Sequence, residues 1–425
     1  MKPKVSSVII FISLLVVFGI TLGHSANWII HSTSGNLPPG LQKKVEAAGG
    51  TLLKSWADVG IAFAEFNTRE EAESLESGNL AVMPDVKLNW LPGGKSQQAE
   101  SIGSDESFYG YQWHLPVIEA DKAWDTGVTG YGVRVAVLDT GIWYPHPDLF
   151  YNVDFASSAS FVPGTPDFMD DHGHGTHVAG IIAAADNNWG SIGVAPDATL
   201  VGVKVLDSTG SGYQSWIVSG MLHAVLADVD IINMSLGSYL KKNGNLPYYS
   251  ASDAAKIRNL YKTMIHWAAR KGVLVVCAAG NEGYDLDHLW NYVHLPSEQG
   301  NGITVSATGP SGLQNFDNFA SYSNYGNSSI TLAAPGGDFT LYPAPGWHYD
   351  MVFSTTVGGW SWMAGTSMAT PVVSGVAALV ISKYVKMKPN ILINHLGKYS
   401  DDLGKPGQDP YYGQGRVNAF KAVSK

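Results

Sequence analysis

The chain has a single cysteine, Cys277, in 425 residues. No intrachain disulfide can form, so stability must come from core packing, with a bound metal as a further source. An excess of positive charge is also missing. Lys and Arg number 26 against 36 Asp and Glu, a net charge of −10. That balance argues against a non-specific nucleic-acid partner. No block of five or more like charges occurs, which excludes a charged tail. Beyond residue 26 no stretch is apolar enough to cross a bilayer, so no stable membrane association is expected. Nothing demands more than a monomer.

Apolar residues make up 45% of the chain and Gly occurs 48 times, which suits a large core with many tight turns. Lys2 and Lys4 precede an apolar run from Val8 to Leu22, followed by Gly23, Ser25 and Ala26. This is the layout of a secretory signal peptide over 1–26 and places the protein outside the cell. An uncleaved anchor is the alternative, and the run is short for one.

Residues 27–91 read as a small α+β unit. Strands are expected at 27–31, 51–55, 59–66 and 86–90, with helices at 42–48 and 68–75. The second helix opens Thr68-Arg-Glu-Glu71, a capping-box pattern. The order β-α-β-β-α-β is ferredoxin-like. Residues 92–104 are rich in Gly, Ser and Gln and suit a cleavable linker. From 105 to 425 short apolar runs alternate with helical segments. Strands are expected at 133–138, 200–205, 230–234, 273–278, 303–307 and 330–334. Helices are expected from 174, at 214–227 and at 252–270. This pattern predicts an α/β fold, a doubly wound and mostly parallel sheet with helices on both faces.

Three segments carry chemistry. Val135-Ala-Val-Leu-Asp-Thr-Gly141 ends an apolar strand on a carboxylate. Gly173-His-Gly-Thr-His-Val-Ala-Gly180 sets His174 between two glycines at a helix start. Gly365-Thr-Ser-Met-Ala-Thr-Pro371 puts Ser367 at the start of a small-residue helix. Taken singly, Asp139 could be a turn residue and His174 structural or a metal ligand. His172, His174 and His177 raise the question of zinc, but their spacing differs from the helical His-Glu-x-x-His of the common zinc hydrolases.

Together the three segments resemble the signatures of the subtilisin-like serine proteases, the subtilases. The order Asp, His, Ser is that family's order, whereas α/β-hydrolases run Ser, Asp, His. The resemblance covers 105 to the C-terminus. It implies a serine endopeptidase in which Ser367 attacks the peptide carbonyl, His174 carries the proton and Asp139 orients His174. It also implies an oxyanion hole from the Asn281 amide and the Ser367 N–H. Ser235, Leu236, Gly237 and Gly280 would line the substrate cleft by adding a strand to an extended peptide. Residues 27–91 would be an inhibitory propeptide, the linker would be cut, and the mature chain would start between 100 and 108. A structural Ca²⁺ is expected from Asp105, Asp148, Ala185, Asn187, Trp189 and Ser191, since oxygen-only ligands suit that ion.

A catalytically silent binding protein of this fold would be expected to have lost one of the three residues, and none is missing. An esterase of another fold is opposed by the residue order and by Ala369, which breaks the G-x-S-x-G elbow. Cys277 lies inside a strand and reads as core. Segments 241–259 and 340–360 read as insertions or long surface segments. Segment 285–296 should hold one wall of the main specificity pocket, with no preferred side chain assigned.

Overall fold

The computed structural model describes residues 26–91, 95–98, 108–385 and 387–425. The signal-peptide reading, most of the linker, the expected start of the mature chain up to 107 and Asp105 lie outside them.

The larger unit is built on a seven-stranded sheet. Its order is Leu332–Pro335, Ile303–Thr308, Leu274–Ala278, Ile231–Met234, Arg134–Asp139, Thr199–Lys204 and Ala159–Ser160. Every neighbouring pair runs parallel. The central strands are buried on both faces, which is why the sequence shows continuous apolar runs there. Alternation then sorts each strand between two cores. Val135 and Val137 join one core with Val178, Val372 and Val376. Ala136 and Leu138 face the other with Val203, Ile217 and Ile257. Helices His174–Ala183 and Thr366–Tyr384 cover the first face, and Gln214–Leu226 and Ala251–Arg270 the second. Contrary to expectation, one stretch beyond residue 26, helix Thr366–Tyr384, is long and apolar enough to cross a membrane, but among the described residues it is a core helix, 89% buried over its most apolar window.

The N-terminal unit runs β-α-β-β-α-β, with an antiparallel sheet in the order Thr51–Trp56, Ile61–Phe66, Ala26–Ser32, Leu80–Pro84. Thr68 caps its second helix, taking the Glu71 N–H while Glu71 returns to the Thr68 N–H. Trp28, Ile30 and Val82 pack under its own helices. Ile29, Ile61, Phe63 and Met83 face the other way and join the larger unit's second core.

Three expectations are corrected. The fourth strand of this sheet is Leu80–Pro84, not 86–90. Asp85 instead accepts hydrogen bonds from the Ser215 N–H and hydroxyl, capping the next unit's helix, and Lys87–Asn89 pairs with Ser211–Tyr213. Within the expected linker, Lys95–Gln98 forms a strand against Ser361–Ala364. The two expected insertions are only partly surface. The first becomes a small hairpin, Gly244–Asn245 with Tyr249–Ser250, followed by the start of helix Ala251–Arg270. The second contains Val352–Thr356, a fully buried strand.

Candidate active site

Asp139 is the last residue of strand Arg134–Asp139 and is fully buried. His174 opens helix His174–Ala183, and its Nδ1 lies 2.8 Å from Asp139 Oδ1. Two glycines make this approach possible. Gly173 sits at φ 100°, where a side chain is strained. A Cβ at Gly175 would lie 2.2 Å from the Gly141 carbonyl oxygen. The turn before the helix is tied down by buried Asp170, which accepts from the N–H groups of His172, Gly173 and Thr176 and the hydroxyls of Thr140 and Thr176. Asp170 was not singled out from sequence; an Asp four residues before the His is the signal that was there to read.

Burial by itself would lower the His174 pKa. The Asp139 charge and hydrogen bond, aided by Asp170, more than offset it, and the pKa is raised above the ordinary histidine value.

Ser367 is the second residue of helix Thr366–Tyr384 and is 8% exposed. Its hydroxyl donates to the Ser235 carbonyl oxygen at 3.1 Å. A buried polar chain lies behind it: Ser235 Oγ donates to the Ser367 carbonyl, Asn233 Nδ2 to Ser235 Oγ, and Ser374 Oγ to Asn233 Oδ1. Asn233 and Ser374 look like core-strand and core-helix positions in sequence, so this support was not legible there.

Asn281 follows strand Leu274–Ala278. Its Oδ1 accepts from the Thr366 N–H at 2.8 Å and the Thr366 hydroxyl at 2.9 Å. With the oxygen end held, the amide's N–H₂ end is the one left to donate. One cavity is lined by His174, Leu236, Gly237, Gly280, Asn281 and Ser367, together with His294, Trp90 and Leu91. Of the expected cleft residues, Ser235 lies just behind it. The arrangement holds a hydroxyl, a raised-pKa imidazole on a buried carboxylate, and an amide donor, which are the parts needed for acyl transfer.

Cys277 is different. It is fully buried in strand Leu274–Ala278, and burial pushes its thiol up to about 12, so no thiolate forms. Zinc finds no support either. His177 is buried and faces the Ser361 carbonyl, with its pKa lowered to about 3, mainly by burial. Among the described residues no group of three His, Cys, Asp or Glu could hold an ion.

Several of the side-chain oxygens expected to bind Ca²⁺ accept or donate hydrogen bonds here. Asp148 Oδ2 accepts from the Ser191 N–H at 2.7 Å, the Ser191 hydroxyl at 2.9 Å and the Trp360 indole N–H at 2.9 Å. Asn187 Oδ1 is taken by the Trp189 N–H, and the Ala185 N–H points at the Asp148 carbonyl. These three donors occupy the lone pairs of Oδ2. Asp148 Oδ1 is left without a partner among the described residues. Asp148 Oδ2, Asn187 Oδ1 and the Ser191 hydroxyl are thus engaged within the loops themselves, and Trp360, from the expected insertion, supplies one of the donors.

The N-terminal unit reaches this cleft. After strand Lys87–Asn89, the Trp90 N–H donates to Gly210 and its indole to Gly212, while the Gly237 N–H donates to the Trp90 carbonyl. Trp90 is fully buried, and nothing in its sequence setting signalled that.

Residues 130–415 match the sequence profile described as Subtilase family. The chain belongs to the subtilase family. It is 39% identical over 312 residues to Subtilisin Savinase of Lederbergia lenta, covering 73% of this chain and 98% of that one. It is 38% identical over 381 residues to Subtilisin NAT of Bacillus subtilis subsp. natto, covering 89% and 84%. A crystal structure of a lanthipeptide protease superposes with a TM-score of 0.65 at 32% identity, covering 74% of this subtilase and 95% of that chain. The protein is thus a serine endopeptidase with the α/β subtilase fold expected from its sequence.

Proposed function

We propose that this subtilase is secreted and cuts polypeptides through an acyl-enzyme on Ser367. His174 removes the Ser367 proton as the hydroxyl turns from the Ser235 carbonyl towards the imidazole, and later gives a proton to the leaving amine. Asp139 holds the tautomer with Nδ1 protonated and stabilises the imidazolium. Asn281 Nδ2 and the Ser367 N–H receive the oxyanion. The observation that carries this reading is the 2.8 Å His174–Asp139 contact opening onto the same cavity as Ser367 and Asn281.

We also read residues 27–91 as an intramolecular inhibitor that is removed by self-processing. The support is the strand Lys87–Asn89 laid along Ser211–Tyr213 and the burial of Trp90 in the wall of the cavity that Ser367 also lines. Added strands of this kind are how extended peptides are bound. Peptide substrates would take the same edge once the unit leaves. A second reading, a processing protease of narrow specificity, is favoured by the way the His294 ring shortens the pocket beside Gly237 and Gly280.

Labelling with a serine-directed sulfonyl fluoride tests the mechanism. Modification of Ser367 with parallel loss of peptide hydrolysis is expected; full hydrolysis with Ser367 blocked would refute it.

A further inference from the structure

We propose that His294 selects the residue on the acyl side of the cleaved bond, admitting side chains that end in a carboxamide or carboxylate and excluding large apolar ones. This rests on the reading of Ser367 as nucleophile and deepens it to a substrate class.

His294 lies on strand Tyr292–Leu295, which pairs with Ser238–Lys241 directly beyond Gly237. It lines the cavity that holds Ser367 and Asn281 and is 1% exposed. A carbonyl placed between Ser367 and Asn281 puts its own residue's side chain into this part of the cavity. Gly237 and Gly280 line it, and two glycines ordinarily leave room for a side chain. Here the imidazole takes that room. A Cβ at Gly237 would lie 2.5 Å from His294 Nε2, and one at Gly280 would lie 3.0 Å from it. The ring therefore shortens the pocket.

The end of the pocket is polar. His294 Nδ1 is 2.7 Å from Ser297 Oγ, which fixes the ring, while Nε2 is buried with no partner among the described residues. An unpaired buried nitrogen is costly, and a substrate group that pairs with it removes the cost. An aromatic or branched apolar side chain would meet the ring and leave the nitrogen unpaired. Glu282 stands beside it: its Oε2 accepts from the Tyr239 hydroxyl, the Asn281 N–H and the Asn324 amide, and its Oε1 has no partner among the described residues, a second polar atom for a carboxamide to pair with. The expected linker carries one side chain of the selected class, Glu100, within the stretch where the cut is expected.

The test uses the matured enzyme and internally quenched peptides that differ only in the acyl-side residue: Gln, Glu, Ala or Phe. For the wild type, kcat/KM for the better of Gln and Glu should exceed that for Phe by at least about 100-fold, since a site built to hydrogen-bond a substrate group rejects analogues lacking it by up to about 10⁴–10⁵. The Gln and Glu arms show whether amide or carboxylate is preferred. His294→Gly should raise Phe at least about tenfold relative to Gln and Glu. His294→Phe keeps the pocket short but lacks the nitrogen, so Phe stays excluded and the advantage of Gln and Glu over Ala disappears. These ratios do not depend on how much of a variant folds. The proposal is overturned if the wild type cuts after Phe within tenfold of Gln and Glu, or if both variants keep the wild-type ratios. Casein digestion by the wild type, run alongside, reports on the endopeptidase reading separately.

Discussion

Replacing Asn281 by Asp changes one end of one side chain. The Oδ1 that accepts from the Thr366 N–H and hydroxyl is kept. The N–H₂ end, which would donate to the oxyanion, becomes a second carboxylate oxygen. Loss of one such donor costs about 10²–10³ in kcat, roughly 3–4 kcal/mol at 1.36 kcal/mol per decade. The new negative charge would face the developing oxyanion, and two unit charges about 3 Å apart at an effective dielectric near 20 repel by about 5 kcal/mol. Both effects act on the transition state, because the substrate carbonyl is uncharged before attack. Asn281→Asp should therefore lower kcat by at least about 10³-fold, with KM changed only a few-fold. The assay is steady-state hydrolysis of a chromogenic peptide, with active sites counted by burst titration. A kcat within tenfold of wild type, or a loss carried entirely by KM, would refute the oxyanion role.

Two further outcomes follow from the geometry. The raised His174 pKa means that protonation disables the base already above pH 6.5, so the acid limb of the kcat/KM profile should fall above that value. Asp139→Asn should move the limb lower and reduce kcat by about 10⁴, since the favourable charge and tautomer are lost. An unmoved limb would remove Asp139 from its role. At Asp148, Trp360→Phe removes a donor to a buried carboxylate and should cost about 1.5–3 kcal/mol in denaturant unfolding. EDTA should leave the wild-type unfolding midpoint unchanged. A midpoint that EDTA lowers and Ca²⁺ restores would reinstate an ion among these loop oxygens.

The parallel sheet was legible because its strands are buried on both faces and read as uninterrupted apolar runs, so all six expected strands lie within one or two residues of the observed ones. The candidate triad was legible because the segments around Asp139, His174 and Ser367 resemble the subtilase signatures, with Gly173 and Gly175 flanking His174. Sequence spacing failed where distant segments complete a site. The strand expected at 86–90 is apolar enough for a sheet, yet Asp85 turns the chain onto another helix and Trp90 is buried in the cleft. The Ca²⁺ set had the right oxygen-bearing residues, but the indole of Trp360, 212 positions from Asp148, now donates to that carboxylate. His294 sits in a segment without a pattern of its own, and only its pairing with Ser238–Lys241 carries it to the pocket.

The most direct measurement compares casein digestion by the secreted wild type with that by Ser367→Ala. The account predicts digestion by the wild type, none by the variant, and accumulation of the variant as a precursor that retains the N-terminal unit. Equal digestion by both would contradict it, because the nucleophile would then lie elsewhere.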